Sequence, residues 1–265
     1  MKLSVIVPTL NRFDALRRTI ESIKEHTAKL DYEIIVIDGG STDGTKWWLY
    51  HHNDLIILQH NRRTGCVKAF NDGFRIASGE YCAQLSDDVE LTSNCLVAAC
   101  KMLDTDDKLG QVVIHHKQGG KIQFPMFSTD HGKFLFAAFG VTRKSLGDKV
   151  GWWGDYYHQQ GDPELSIKIY NEGYKIALLP NHFIYHHPGP SEGRSHYRDA
   201  ELFYEKWHDW SPRCCHRNGD IQRGRYYNRI AKRTALFGNR YRRQFTRWHR
   251  RPGESLRGSC CQSPA

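Results

Sequence analysis

The chain has 265 residues, 39% of them hydrophobic, with a formal net charge of +9; this is enough to bury one sizeable core with an appendage. No apolar run approaches the ~20 residues of a membrane-spanning helix, and Met1-Lys2 leads into a run too short and strand-like for a secretory leader. A cytoplasmic protein with reduced thiols is therefore expected.

In chain order, residues 3–7 form a continuous apolar run long enough for a buried strand. Pro8-Thr9-Leu10-Asn11 breaks it, and a helix follows with Phe13, Leu16, Ile20 and Ile23 on one face. A second strand spans residues 32–37 and ends at Asp38-Gly39-Gly40, after which Ser41 or Thr42 can cap a helix carrying Trp47, Trp48 and Leu49. Residues 55–58 make a third strand, and Val67, Phe70, Phe74 and Ile76 mark the helix after it. Residues 81–85 make a fourth, delivering Asp87-Asp88 at its end. Strands alternating with helices predict an α/β domain with a mainly parallel sheet flanked by crossover helices. Cys82, Cys95 and Cys100 sit in apolar patterns, and the pairs Cys214-Cys215 and Cys260-Cys261 lack zinc-knuckle spacing.

Adjacent carboxylates at the end of a buried strand repel and are expensive to desolvate. A solvated turn is the bland explanation; a bound cation is the other, and oxygen ligands suit Mg²⁺ or Mn²⁺. In parallel sheets ligands bind outside the carboxyl ends of the strands. The loops on that edge hold residues 8–11, 38–41, 61–63 and 86–88, which supply acids, guanidinium groups suited to phosphate, and small residues where backbone approaches a ligand. Taken alone, Gly39-Gly40 reads more readily as a plain turn. Neither GxGxxG nor GxxxxGK[ST] is present, which removes the main support for dinucleotide oxidoreductases and P-loop enzymes.

Taken together, these blocks resemble family 2 glycosyltransferases of the GT-A fold. The resemblance is carried by Ser4 to Arg12, Glu33 to Thr45, Gly65 to Ala77 with Ala69, Asn71 and Gly73, and Gly79 to Asp88. It covers roughly residues 3–210 and implies a nucleotide-sugar donor whose diphosphate is bridged to the protein by Mn²⁺ or Mg²⁺. Donor-binding positions implied are Pro8, Thr9, Asn11, Arg12, Asp38, Arg62 and Asp87, with Asp88 on the metal, Asp87 near the ribose and Asp38 near the nucleobase. Asp38-Gly39 stands where the commonest pattern has two acids, so uracil is only the default base and a UDP-sugar the default donor.

Residues 161–174 have the form of a helix entered through Asp162-Pro163-Glu164. Asp162 serves there as an N-cap, with Pro163 suiting the first turn and Glu164 the positive end of the dipole. The resemblance adds a second role, a catalytic base at Asp162, with Glu164 the runner-up. In residues 183–189 it implies that a histidine completes the metal site, His186 ahead of His187. Trp152, Trp153, Tyr156 and Tyr157 are either an acceptor wall or packing. The reaction implied is attack of an acceptor hydroxyl on the anomeric carbon, with inversion, in polysaccharide or glycoconjugate synthesis on a saccharide or lipid-linked acceptor.

From Arg213 onward arginines are interleaved with Tyr226, Tyr227, Phe237, Tyr241, Phe245 and Trp248. The chain thus divides into a catalytic domain, residues 1–210, and a basic, helical C-terminal segment, residues 211–265. That segment fits an anionic membrane surface at the inner face, a helix packed on the domain, or, least well, nucleic acid. The competing functional classes are a catalytically silent nucleotide- or carbohydrate-binding protein on the same fold and a nucleic-acid binder led by the tail. The first has no need for Asp87, Asp88 and Asp162 together, and the second leaves the strand-edge loops unexplained.

Overall fold

The computed structural model describes residues 2–189 and 197–212. The basic segment from residue 213 on, its expected helix and both adjacent cysteine pairs lie outside the described residues. The first half runs β1 (Lys2–Thr9), α1 (Phe13–Thr27), β2 (Asp31–Asp38), α2 (Gly44–Tyr50), β3 (Ile56–Gln59), α3 (Cys66–Ile76) and β4 (Tyr81–Gln84). These four strands lie parallel in the order β3-β2-β1-β4, as the alternation predicts. β1 is central and buried on both faces: Leu3, Val5 and Val7 enter one apolar cluster and Ile6 the other. Leu16, Ile20 and Ile23 of α1 join the first cluster, while Phe70 and Phe74 of α3 join the second.

Next come β5 (Val89–Leu91), α4 (Cys95–Asp104), β6 (Leu109–Gln118), β7 (Lys121–Gln123), β8 (Met126–Thr129), β9 (Gly132–Leu135) and β10 (Gly140–Arg143). The described chain ends with α5 (Lys144–Val150), α6 (Gly161–Asn171), β11 (Lys175–His186) and α7 (Tyr197–Trp207). β10 inserts antiparallel between β4 and β6, so the sheet is parallel on one side and mixed on the other. β11 runs parallel to β6 and antiparallel to β5, setting His186 opposite Val89. That pairing brings the second half of the chain to the residues just after Asp88. Among the described residues no helix is long and apolar enough to cross a membrane.

Helix entry differs from expectation in two places. Asp43, not Ser41 or Thr42, caps α2, accepting the Thr45 N–H at 3.0 Å. Gln160, with φ +73°, holds the N-cap position of α6, so Asp162 lies inside the first turn and caps nothing. The aromatic cluster also resolves. Trp152 stacks on Phe74 at 4.1 Å, Trp153 lies 4.3 Å from Phe70, and Tyr156 is buried with them. Packing therefore accounts for these three, and of the four only Tyr157 remains exposed. Cys82, Cys95 and Cys100 are buried free thiols, each pushed up to about 12 chiefly by burial.

Gly73 shows how closely α3 sits on the sheet: a Cβ there would lie 2.5 Å from Ile6 Cγ2 and 2.7 Å from Ile37 Cδ1. Alanine would gain about 1 kcal/mol of helix propensity, but overpacking a filled core costs roughly 1–3 kcal/mol. Gly73→Ala is expected to lower the melting temperature by a few degrees in a thermal denaturation series; a rise would show that the interface yields.

Candidate active site

The end of β4 is a tight electrostatic knot. Asp87 and Asp88 are each 5% exposed. Thr9 Oγ1 donates to Asp87 Oδ2 at 2.8 Å, which ties the end of β1 to the end of β4. The Arg12 guanidinium spans the pair, with Nη1 3.3 Å from Asp87 Oδ1 and Nη2 2.9 Å from Asp88 Oδ2. Ser86 donates to Asp88 Oδ1 at 2.5 Å, and His186 Nε2 lies 3.3 Å from that same oxygen. Burial and the neighbouring Asp88 charge push Asp87 up to about 6 against the pull of Arg12 and Thr9. Asp88 feels burial most strongly as well, but its bonds to His186 and Ser86 and the Arg12 charge overcome it and hold the carboxyl well below the usual range.

His186 and His187 point to different partners, as alternation along a strand requires. His187 Nε2 pairs with Glu90 at 2.9 Å, and its backbone N–H donates to the Asp88 carbonyl at 2.8 Å. His186 is turned toward Asp88 on one side and toward Gln118 Oε1, at 3.3 Å, on the other. Its ring also meets those of His116 and Phe139 at centroid distances of 5.3 and 5.4 Å.

Asn11 joins the first two strand-edge loops. Its φ of +53° is the left-handed conformation that Asn tolerates better than most residues. There its side-chain oxygen accepts the Thr42 N–H at 2.7 Å and its own N–H donates to Ser41 Oγ at 2.8 Å. Pro8 lies within β1 opposite Ile37. Asp38 is fully buried, accepting from the Ser41 N–H at 2.9 Å and Gln59 Nε2 at 3.0 Å. Both of its oxygens thus hold the protein's own donors, and Asp38 braces the loop after β2. Arg62 is exposed, and its backbone N lies 3.3 Å from where a Cβ on Gly40 would be.

The two acids of α6 have opposite environments. Glu164 is 1% exposed, and its carboxylate takes up Tyr156 Oη at 2.5 Å, Lys206 Nζ at 3.0 Å and Trp207 Nε1 at 3.1 Å, with Lys168 Nζ at 3.3 Å. Burial is again the largest influence on it, yet these donors and charges hold Glu164 below its ordinary value. Among the described residues Asp162 has no side-chain partner of that kind, and burial pushes it up to about 7 against the pull of its own backbone N–H. The loop leading to it shares the carboxyl edge of the sheet. A Cβ on Gly65, at the start of α3, would lie 2.2 Å from the Tyr157 carbonyl, and Asn71 exchanges two hydrogen bonds, of 3.1 and 3.2 Å, with the Trp153 backbone.

Sequence reasoning singled out Thr9, Arg12, Asp87, Asp88 and His186, which the structure brings together; Asp162 and Glu164 form a separate group. It missed Ser86, Gln118, Glu90 and Asp199, whose partnerships depend on strand pairing and helix docking rather than on any local pattern. No three metal-ligating side chains among the described residues are arranged to hold an ion. The donor set still fits a divalent cation. Asp88 Oδ1 and His186 Nε2 lie 3.3 Å apart, and Mg²⁺-type sites commonly use one or two protein ligands with substrate phosphates and water. The guanidinium on the two carboxylates also shows that this pair is built to face positive charge.

Comparison with known proteins bears on the family and the fold. A protein from Bacillus subtilis (strain 168) described as the uncharacterized glycosyltransferase YwdF is 24% identical over 195 residues, covering 68% of this chain and 72% of its own. The GalNAc(5)-diNAcBac-PP-undecaprenol beta-1,3-glucosyltransferase of Campylobacter jejuni is 44% identical over 100 residues, 36% of this chain and 32% of that one. This chain therefore spans about a third of the Campylobacter protein. Among solved structures, the mannosyltransferase PcManGT from Pyrobaculum calidifontis, in complex with GDP-Man and Mn²⁺, superimposes with a TM-score of 0.59 at 22% identity. That match covers 79% of this chain and 65% of the other. The profile described as Glycosyl transferase family 2 matches residues 4–180, so the chain belongs to glycosyl transferase family 2 and is a glycosyltransferase.

Proposed function

We propose that this enzyme moves a sugar from a nucleoside-diphosphate donor to an acceptor hydroxyl, with inversion at the anomeric carbon. The observation that carries the reading is the buried Asp87-Asp88 pair, bridged by Arg12 and flanked by Thr9 and His186 at the carboxyl edge of the sheet. Asp88 and His186 would hold Mn²⁺ or Mg²⁺, with Asp87 toward the donor ribose. A bound divalent ion would offset the negative charge that grows on the departing diphosphate. Arg12 and the exposed Arg62 supply further positive charge on the same edge. Asp162, raised by burial, takes the proton of the attacking hydroxyl. Displacement from the face opposite the diphosphate inverts the configuration.

The donor reading starts from a UDP-sugar. Because Asp38 is engaged by Ser41 and Gln59, base selection falls to the backbone of residues 39–41 and 60–62. The undecaprenol-linked substrate in the Campylobacter relative's name supports a lipid-linked or saccharide acceptor. Residues 1–210 would be the catalytic domain. The basic segment 211–265 would then hold the enzyme at the inner, anionic membrane face where such acceptors lie, at about 1 kcal/mol per basic residue.

Nucleoside diphosphate release across a panel of sugar nucleotides, with Mn²⁺, Mg²⁺ or chelator, tests this. One donor should be turned over in a metal-dependent way, and Asp88→Ala should lose at least ~10²-fold of that rate. Metal-independent release unchanged in Asp88→Ala would remove the site from the reaction. NMR of the product anomer decides inversion.

A further inference from the structure

Asp199 is in the first turn of α7, yet its carboxylate is buried and turned away from its own helix. It accepts three consecutive backbone N–H groups, from Tyr157 at 3.1 Å, His158 at 2.7 Å and Gln159 at 2.9 Å. Successive amides converging on one point form an anion-binding nest, and here the anion is built into the chain. Burial would raise the Asp199 carboxyl, but the three donors overcome it and hold it below its ordinary value, the expected result of several N–H bonds to a carboxylate.

The position of this nest in the chain gives it meaning. Its last amide belongs to Gln159. Gln160 follows with φ +73°, and Gly161-Asp162 then opens α6. A left-handed non-glycine residue is maintained only where its surroundings over-determine it. Asp199 pins the upstream side of that turn. Downstream, Lys206 and Trp207 of the same helix hold Glu164, so α7 grips the chain on both sides of Asp162. The helix has other anchors besides Asp199: Phe203 is buried in the core, and Lys206 and Trp207 contact Glu164. Among the described residues, the side-chain hydrogen bonds of Asp199 go to residues 157–159.

We propose that Asp199 is a positioning residue for the proton acceptor: it clamps residues 157–159 so that Asp162 is presented to the acceptor hydroxyl in one geometry. The proposal rests on the assignment of Asp162 as the base. A displacement of about 1 Å at such a group is worth up to ~10²-fold in rate, which sets the scale of the effect.

The test uses the full chain with Asp199→Ala, Asp199→Asn and, in parallel, Asp162→Asn. Backbone hydrogen exchange at residues 157–159 reads the clamp without any ligand. Nucleoside diphosphate release from the donor selected by the panel above reads its consequence. Asp199→Ala should speed exchange at these amides and lower kcat by roughly 10–100-fold, while donor KM changes less than about twofold, because the donor contacts lie on other loops. Asparagine keeps one acceptor oxygen and should recover part of both losses. Unchanged protection, an unchanged kcat, or a matching loss of donor binding would each overturn the proposal. Full turnover by Asp162→Asn would show instead that the base assignment had failed, and the positioning role would fall with it. A clamp that fails by itself shows the opposite pattern, an inactive Asp162→Asn beside a fully active Asp199→Ala.

Discussion

Asp162→Asn is expected to lower transfer by ~10²–10⁴-fold while leaving donor binding nearly intact, since among the described residues Asp162 makes no side-chain bond to Thr9, Arg12, Asp87, Asp88 or His186. The wild-type rate should rise as pH increases through about 7, where burial places this carboxyl, because only the ionised form accepts the hydroxyl proton. The asparagine variant should lack that limb. The same displacement acts on stability with a definite sign. The folded-state value lies above the unfolded one of about 3.9, so the native protein prefers the protonated acid. Its contribution is fully present below the unfolded value and is lost as pH rises through about 7. Asp162→Asn should therefore be more stable than wild type at pH 8, by up to about 4 kcal/mol, and about equally stable at pH 4. Paired melts and pH–rate profiles check both halves; an active variant, or a flat wild-type profile, would take the base away from Asp162.

Local chemistry explains what could be anticipated from sequence and what could not. β1, β2 and β4 were legible because a parallel strand buried on both faces is a continuous apolar run, and each run ends at a loop of distinctive composition. Asp87-Asp88 was legible for the same reason, since carboxylates at the end of such a strand demand a compensating charge. The Arg12 guanidinium that supplies it lies 76 positions away from Asp88, and only the adjacency of β1 and β4 brings it there. β10 left no comparable mark: Gly140-Val141-Thr142-Arg143 is short, and its antiparallel placement depends on β4 and β6. The aromatic residues 152–157 were ambiguous because composition does not reveal which side of a loop faces the core. Asp162 misled in one respect, since Asp before Pro fits an N-cap whether or not the helix begins there. The left-handed Gln160, which no local pattern marks, puts the cap two residues upstream.

Glu164→Ala should be the most destabilising single change in this region. The carboxylate is 1% exposed, and its removal strands the Tyr156 hydroxyl, the Trp207 indole N–H and two ammonium groups that now share it. Breaking a buried ion pair by removing one partner costs roughly 3–5 kcal/mol. Lys206 is half exposed and can turn to water, which puts the loss near the lower end, about 3 kcal/mol. For a domain of this size that is a fall of ~6–12 °C in melting temperature. Glu164→Gln keeps the shape and one acceptor oxygen and should cost less, about 1–2 kcal/mol. The glutamine variant also separates the two acids of α6. With its oxygens committed to Tyr156, Lys206, Trp207 and Lys168, Glu164 has none free for a substrate proton, so Glu164→Gln should retain far more transfer activity than Asp162→Asn at a temperature where both are folded. The reverse order, an inactive but stably folded Glu164→Gln beside an active Asp162→Asn, would move the base two residues along the helix and make Asp162 the structural member of the pair.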